Sequence, residues 1–304
     1  SGRVRAGYFN FVCTFPISGG KSRKILIFDE SPPTAMEELM GQGEKRPIHT
    51  IVFIVAMQKE AQPLINRLRL VEQVNTPVSG CFFEVLGVIS TVHVLYGLVA
   101  FFLTLVLLCS GVESVGTVPA SLVTYASILA IQPDLIVNAG TAGGFKAKGA
   151  CISDVYVVST VAFHDRRIPV PVLDLYGVGM RKAFPTPNLI KELNLKVGRL
   201  STGDSMDMSP HDEESITAND ATVKDMELLR LILGILAFQG AAVAYVADIF
   251  KVPTILIKGV TDIVDGNRPT SEEFLENLAA VTAKLDESLT KVIDFISGKC
   301  LSDL

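Results

Sequence analysis

The sequence has no tryptophan, only four histidines and five cysteines among its 304 residues. No two histidines show HxxxH spacing and no two cysteines stand at the spacing of a metal or redox pair, so neither a zinc site nor a dithiol centre is expected. His164-Asp165 is a suggestive pair, but a surface turn explains it better than catalysis. An odd number of scattered cysteines fits a reducing compartment, and we expect a cytoplasmic protein.

Signatures of several common enzyme classes are missing as well. The sequence has no Gly-x-Ser-x-Gly elbow, no GxGxxG and no complete Walker motif, which argues against a serine hydrolase, a dinucleotide-binding or a P-loop enzyme. The net charge of −5, without a basic stripe, argues against a nucleic-acid partner. With 49% hydrophobic residues, the chain can form one large core or two modest ones.

Three short motifs carry carboxylates beside apolar runs or at the start of a helix. They are VAMQKE ending at Glu60, KDME ending at Glu227 and KGVTD ending at Asp262. Three acids in one site, without a metal-ligand cluster, suggest acid–base chemistry on an uncharged polyol such as a sugar ring. Each acid alone is more often a solvated loop carboxylate, so this hypothesis depends on the three together.

From residue 50 onward, apolar β-branched runs alternate with helical segments, which predicts an α/β domain. Residues 51–56 form an all-apolar run typical of a strand buried on both faces. Further strands are predicted at 135–139 and 254–259, and the second of these places Asp262 just past its carboxyl end. Such strand ends are where an α/β sheet presents its chemistry.

The segment Gly140-Thr141-Ala142-Gly143-Gly144 is predicted to be a turn that follows the strand at 135–139. Its backbone amides could face an anion or a polar ligand. A tight turn that merely lets the backbone bend explains it equally well. As a phosphate loop the segment is weak, because no Lys-Ser/Thr follows it.

The clearest helix prediction begins at Thr270-Ser271-Glu272-Glu273, which reads as a capping box. Apolar residues then recur at steps of three and four, and Gly298 ends the helix. We interpret this apolar stripe as core packing; it consists of Phe274, Leu278, Val281, Leu285, Leu289, Val292 and Ile296.

Several blocks together resemble the 5′-methylthioadenosine nucleosidases, most of all the plant type, within the purine nucleoside phosphorylase/hydrolase superfamily. The blocks are VAMQKEAQPL, GVESVGTVPASL, VNAGTAGGF, STGDSMDM, VKDME, GAAVAYVADIF and KGVTDIVDG. The resemblance implies an α/β three-layer sandwich, with a mixed central β-sheet flanked by helices, in a homodimer. It also implies hydrolysis of methylthioadenosine to adenine and methylthioribose in methionine salvage, without metal or cofactor.

The resemblance also implies roles for individual residues. Glu60 matches the carboxylate that polarises the attacking water, Glu227 the one that binds the ribose hydroxyls, and Asp262 the acid that protonates the purine. The other implied substrate-binding residues are Met57 and Val115 at the sugar and alkylthio group, Met226 beneath the sugar, Met206 and Asp207 at the purine, and Thr141, Ala142, Gly143, Lys258 and Thr261.

This chemistry is physically consistent with the motifs. Cleavage of a ribose–purine bond builds negative charge on the base, which a protonated Asp262 would neutralise; its apolar neighbours Ile263 and Val264 are compatible with a raised pKa. Carboxylates near the sugar favour a cationic transition state. A carboxylate at the water site would repel a phosphate dianion, which favours hydrolysis over phosphorolysis. Arg166 and Arg167 are expected to be solvated.

Two apolar segments depart from the resemblance, at residues 77–110 and 228–239. We expect a poorly ordered extension at 1–47 and a single nucleosidase domain at 48–304, interrupted by these segments. Residues 86–109 contain no Asp, Glu, Lys or Arg and are long enough to cross a bilayer. A membrane span would remove strands from the sheet and leave backbone groups unpaired, so a disrupted soluble enzyme is favoured.

Three alternatives stay open from the sequence. The chain could be an inactive or membrane-attached splice-variant relative, or a purine nucleoside phosphorylase. Selectivity between methylthioadenosine and S-adenosylhomocysteine is not decided by these motifs.

Overall fold

The computed structural model describes residues 10–17, 21–28, 47–56, 58–68, 84–96, 99–109, 116–166, 179–205, 208–225 and 240–304. It divides into two compact units, Ser1–Arg46 and Pro47–Leu304. The apolar segment 228–239 and residues 69–83 lie outside the described residues.

In the first unit, β1 (Asn10–Ile17) and β2 (Lys21–Phe28) form an antiparallel pair. This pair lies within residues 1–47, for which the sequence predicts a poorly ordered extension. Both strands are rich in aromatic and β-branched residues, and Ser-Gly-Gly stands between them, which is a hairpin sequence.

The second unit alternates strands and helices along the chain. Its strands are β3 (Thr50–Val55), β4 (Glu84–Tyr96), β5 (Val99–Cys109), β6 (Leu135–Gly144), β7 (Val155–Phe163), β8 (Arg181–Lys182), β9 (Lys196–Thr202), β10 (Val223–Asp225) and β11 (Thr254–Ile263). Its helices are α1 (Gln58–Leu68), α2 (Thr117–Ile131), α3 (Pro187–Leu193), α4 (Pro210–Ala218), α5 (Gly240–Phe250) and α6 (Thr270–Ile296), with short 3₁₀ turns at Lys146–Lys148 and Leu301–Asp303.

Within the described residues these nine strands form one mixed sheet in the order β10-β9-β7-β11-β6-β3-β5-β4, with β8 paired to β7. Strand β6 is parallel to both β3 and β11, whereas β7 is antiparallel to β11. Because β10 also pairs with β6, the five strands β6, β11, β7, β9 and β10 close into a ring. This ring brings the ends of β6, β10 and β11 together.

Helices cover both faces of the sheet, which confirms the α/β three-layer architecture. Alternate side chains of β3 point to opposite faces of the sheet. On one face, Ile51, Phe53 and Val55 belong to a buried cluster that includes residues of α1, α3 and α6. Val52 and Ile54 pack with α2 and α5 in another. Both faces of β3 are therefore buried, as its all-apolar sequence predicts.

Strands β4 and β5 occupy most of the apolar segment 77–110. Strand β5 pairs in parallel with β3, from Thr50↔Thr104 to Val55↔Cys109, and β4 pairs antiparallel with β5 at the edge of the sheet. The apolar run is therefore part of the sheet and does not interrupt it, which its β-branched content explains. Among the described residues no helix is long and apolar enough to cross a membrane.

Helix α6 confirms the predicted apolar stripe, since all seven of its residues are buried. Gly298 has a φ of 75° just beyond the helix end, as a C-terminal glycine should. The predicted capping box is wrong, because Pro269 is the cap residue and makes no side-chain capping bond. Instead, Glu273 accepts a hydrogen bond from the backbone N–H of Ile263, 2.9 Å away, and so ties the helix to the end of β11.

Candidate active site

The glycine-rich segment at 140–144 is not a turn but the second half of strand β6, buried along its whole length. It pairs with β11 from Lys258↔Gly140 to Ile263↔Gly144. Val260 pairs with Ala142 and Asp262 with Gly143, so Thr261 is the extra residue of a β-bulge. A bulge at a strand end redirects side chains, and here it directs Thr261 and Asp262 to the site.

Glu60 lies in the first turn of α1, and its side chain is buried. Its Oε1 accepts hydrogen bonds from the backbone N–H and the hydroxyl of Thr141, at 2.6 and 2.7 Å. A Cβ atom added at Gly140 would lie 3.3 Å from this oxygen and 3.5 Å from Nζ of Lys258. Because Gly140 has no side chain, the Glu60 carboxylate and the Lys258 ammonium can both lie close to the backbone of β6 at this position.

Asp262 is buried and its two carboxyl oxygens differ. Oδ1 accepts a hydrogen bond from the Thr261 hydroxyl at 2.8 Å, while Oδ2 has no hydrogen-bond partner. The pKa of Asp262 is raised to about 6, mainly by burial and to a smaller extent by Glu273, against the opposite effects of the Thr261 hydroxyl and Lys224. A carboxyl group of this kind carries a proton at mildly acidic pH and has a free oxygen from which to donate it.

Gly143 provides the space into which Asp262 points. A Cβ atom at this position would lie 2.8 Å from Oδ2 of Asp262 and 2.7 Å from Cγ2 of Val264. Thr261 also directs its hydroxyl to the carbonyl oxygen of Ala142, at 3.4 Å. The predicted residues Thr141, Ala142, Gly143, Thr261 and Asp262 therefore occupy adjacent positions on two paired strands.

Lys258 forms a buried ion pair with Asp225, with Nζ 3.2 Å from Oδ1. Oδ2 of Asp225 accepts hydrogen bonds from the N–H of Gly240 at 2.9 Å and from the hydroxyl of Thr202 at 3.2 Å. Asp225 thus links β11 and β9 to the first residue of α5. Its position directly before Met226 and Glu227 makes it the anchor of the KDME motif.

Sequence reasoning missed Lys224 and Asp225, although both belong to a quoted motif. In the structure they lie in a three-residue strand, Val223–Asp225, whose side chains are all buried. Two charged residues in a buried strand need specific partners. Asp225 has Lys258, and Lys224 interacts electrostatically with Asp212, Asp262, Asp165 and Glu213.

The pair His164-Asp165 is not a solvated turn. His164 is buried, with Nδ1 3.0 Å from the hydroxyl of Ser201. Asp165 accepts hydrogen bonds from the backbone N–H groups of Asp204 and Ser205. The next residue, Arg166, was expected to be solvated, but its guanidinium lies 3.4 Å above the ring of Phe163. The buried end of β7 explains both differences, because it leads directly into the buried His164 and the half-buried Asp165 and Arg166.

A loop that leads into the predicted purine-binding segment is fixed from two sides. Asp165 binds its backbone at residues 204 and 205, as described above. The Asp204 carboxylate in turn accepts hydrogen bonds from the N–H and the hydroxyl of Thr117, at 2.7 and 2.5 Å. The loop is therefore tied to the first residue of α2, which follows directly after Val115 and Gly116.

The sequence from residue 50 to residue 294, from β3 to α6, matches the family model described as "Phosphorylase superfamily". The chain belongs to this superfamily. Two relatives from Arabidopsis thaliana match most of its length. A 5′-methylthioadenosine/S-adenosylhomocysteine nucleosidase is 81% identical over 273 residues, which cover 88% of this chain and 100% of the relative. A 5′-methylthioadenosine nucleosidase is 56% identical over 274 residues, covering 88% and 95%.

A solved structure supports the same placement in the phosphorylase superfamily. The crystal structure of an MTA/SAH nucleosidase is 79% identical, with a TM-score of 0.76, and covers 85% of this chain and 100% of its own. The superfamily fold and the membership expected from the sequence motifs are both confirmed.

Six residues to which the resemblance gave roles lie outside the described residues: Met57, Val115, Met206, Asp207, Met226 and Glu227. Five of the six adjoin a described residue in the chain, namely Ala56, Gly116, Ser205, Met208 or Asp225, and Glu227 does not. Among the described residues, no group of three or more His, Cys, Asp or Glu side chains could hold a metal ion.

Proposed function

We propose that this chain hydrolyses the N-glycosidic bond of 5′-methylthioadenosine, releasing adenine and 5-methylthioribose, as a step of methionine salvage. The names of the relatives that are 81% and 56% identical support this substrate. The observation that carries the proposal is Asp262, a buried carboxyl with a pKa of about 6 and one unpartnered oxygen at a strand end.

Asp262 acts as the general acid to the purine. Departure of adenine requires a proton on the base, at its seven-position nitrogen, to neutralise the charge that develops there. Asp265 is the competing acid in the same loop, but its two oxygens accept hydrogen bonds from the N–H groups of Lys146 and Ala147. Asp265 therefore holds a local turn, whereas Oδ2 of Asp262 is available for the substrate.

Glu60 activates the attacking water. Oε1 is held by two donors from Thr141, which fixes the carboxylate at the amino end of α1, where the helix dipole favours a negative charge. A fixed carboxylate can polarise water and stabilise a cationic ribosyl group. It also repels a phosphate dianion at short range, so hydrolysis is preferred to phosphorolysis.

Glu227 binds the ribose hydroxyls, with Met226 beneath the sugar. Asp225 supports this assignment, since its buried contacts with Lys258, Thr202 and Gly240 fix the backbone just before Met226. In this account Lys258 contributes to substrate binding through Asp225. The remaining assignments are Met57 and Val115 for the sugar and alkylthio group, Met206 and Asp207 for the purine, and Thr141, Ala142, Gly143 and Thr261 for the walls of the site.

S-Adenosylhomocysteine is a second candidate substrate, because the relative that is 81% identical is named for both compounds. Both nucleosides share the adenine and ribose groups and differ only in the group on the 5′ sulfur. The assigned acid–base residues act on the shared part.

The enzyme works as a homodimer in the cytoplasm. Helix α2 exposes an apolar stripe at spacings of three and four, and the neighbouring end of α5 adds two more exposed apolar residues; the set is Val118, Leu122, Tyr125, Leu129, Ile249 and Phe250. Contiguous exposed apolar surface is typical of an interface. The free thiols of Cys151 and Cys300 fit a reducing compartment.

The test is to incubate the full chain with 5′-methylthioadenosine, with and without inorganic phosphate, and to identify the products. We expect adenine and free methylthioribose at a rate that phosphate does not increase. Methylthioribose 1-phosphate as the main product would make the chain a phosphorylase, and the absence of any adenine release would make it an inactive relative.

A further inference from the structure

Lys224 occupies a row of paired residues that crosses three neighbouring strands. It pairs with Gly143 of β6 in antiparallel register, and Gly143 pairs on its other side with Asp262 of β11. Directly paired residues of neighbouring strands point to the same face of a sheet. Lys224 and Asp262 therefore flank Gly143 on one face, with strand spacings of about 4.8 Å on either side.

The middle residue of this row has no side chain, so the space above Gly143 separates the two charged groups. The unpartnered Oδ2 of Asp262 leans into that space, 2.8 Å from where a Cβ atom at Gly143 would lie. Lys224, which is also buried, is long enough to extend from the neighbouring strand towards this space. In this row, a buried carboxyl group and a buried lysine therefore stand on either side of a position that has no side chain.

Three further acidic residues interact electrostatically with the Lys224 ammonium. They are Asp212 and Glu213 on α4 and Asp165 after β7. The pKa of Lys224 is lowered overall, because burial outweighs the opposite effect of these acids and of Asp262. The pKa of Asp262 is raised mainly by burial; the hydrogen bond from Thr261 lowers it, and smaller electrostatic effects come from Glu273, which raises it, and Lys224, which lowers it. Charged residues of α4, of α6 and of the segment after β7 therefore act on this row, in addition to those of β10 and β11.

We propose that Lys224 is a positioning residue of the active site, whose ammonium keeps Asp262 acidic enough to transfer its proton to the departing purine. This inference rests on the proposed function and adds to it a residue to which the resemblance gave no role. Lys224 acts through Asp262: an opposite charge stabilises the carboxylate that remains after proton transfer. One proton moves from Oδ2 of Asp262 to the purine, and the Lys224 ammonium keeps its three protons.

The test compares the full-length wild type with Lys224→Met, which removes the charge but keeps an unbranched apolar stem, and Lys224→Arg, which keeps the charge. Adenine release from 5′-methylthioadenosine is followed from pH 5 to 9. Activity of the wild type in kcat/KM should fall as pH rises through about 6, the pKa of Asp262. In Lys224→Met the pH at which kcat/KM falls should rise by about one pH unit. On the acidic plateau of this pH profile, kcat should fall roughly threefold to tenfold.

A second substrate separates this role from a structural one. The 4-nitrophenyl glycoside of 5-methylthioribose releases 4-nitrophenolate, a leaving group that needs no proton. Its hydrolysis should therefore be nearly unchanged in Lys224→Met. Lys224→Arg should keep the wild-type limb. Lys196→Met, at an exposed lysine paired with Asp154, is the matched control and should behave as wild type with both substrates.

Equal slowing of both substrates, or an unmoved pH limb in a folded Lys224→Met enzyme, would overturn the proposal. Because the wild type is assayed in parallel, failure of the proposed function would be recognised separately, as the absence of adenine release from the unmodified chain.

Discussion

At the residue scale, two carboxyl groups of the same chemical kind receive opposite environments. Oε1 of Glu60 accepts two hydrogen bonds from Thr141, as a carboxylate does. Asp262 is buried with one oxygen unpartnered, and its pKa is raised to about 6. Pairs of acids whose environments differ in this way can divide the roles of base and acid between them. The environment of each residue, and not its type, determines its chemistry.

Glu60→Gln tests the water-activating role. The amide keeps the shape and can still accept from Thr141, but it cannot take up a proton from water. We expect kcat to fall by about 10²- to 10⁴-fold, with a much smaller change in KM. Glu276→Gln, an exposed residue paired with Arg268, is the matched control and should keep wild-type kinetics. A Glu60→Gln enzyme within a few-fold of the wild-type kcat would exclude Glu60 as the activating base.

At the element scale, the flanks of the apolar segment 228–239 are in contact. The N–H of Gly240 donates to Oδ2 of Asp225 across the fourteen residues between them. If residues 228–239 were removed, Gly240 would stand three residues after Asp225. An Asp side chain that accepts from the N–H three residues later is the usual cap at the start of a helix. The flanks thus already have the geometry of a continuous connection into α5.

Deletion of residues 228–239 should therefore leave the fold and the activity intact. Closing a shorter connection costs less conformational entropy, by about 1–2 kcal/mol for this change in length, so the melting temperature should not fall. Thermal unfolding and the rate of adenine release measure the two effects. A deleted chain that is insoluble, or that loses activity while the full chain has it, would show that the segment is required.

The sequence predicts some elements of this fold well and others poorly, for physical reasons. The stripe of α6 is a local pattern and was predicted residue by residue. Residues 140–144 were predicted to be a turn because glycine favours turns, yet pairing with β10 and β11 keeps them in a strand. The same non-local pairing makes 99–109 a strand beside β3. Lys224 was missed because its register against Gly143 is set by the ring of strands.

At the scale of the whole molecule, the exposed face of α2 is the clearest unexplained surface among the described residues. Leu122 and Leu129 are each 53% exposed, and Tyr125 packs against Phe250 of α5, with ring centroids 5.6 Å apart. A monomer would leave this apolar stripe in water. Burial of the same stripe of a second copy would produce the symmetric interface of a homodimer.

Leu122→Glu tests this interface. A buried unpaired charge is unfavourable, so we expect the variant to be monomeric in analytical ultracentrifugation where the wild type is a dimer. The control is Leu275→Glu, the same substitution at a leucine of α6 that is 43% exposed on another face, and it should stay dimeric. A monomeric wild type, or a Leu122→Glu dimer of unchanged affinity, would contradict the assignment of this face.

The central claim is that Asp262 protonates the departing adenine, and the turnover of Asp262→Asn tests it most directly. The amide cannot give up that proton, so kcat for adenine release should fall by about 10²- to 10⁴-fold, while binding of 5′-methylthioadenosine changes much less. Asp265→Asn, three residues away and engaged with the backbone of Lys146 and Ala147, should retain turnover. Full turnover in Asp262→Asn together with loss of turnover in Asp265→Asn would contradict the account.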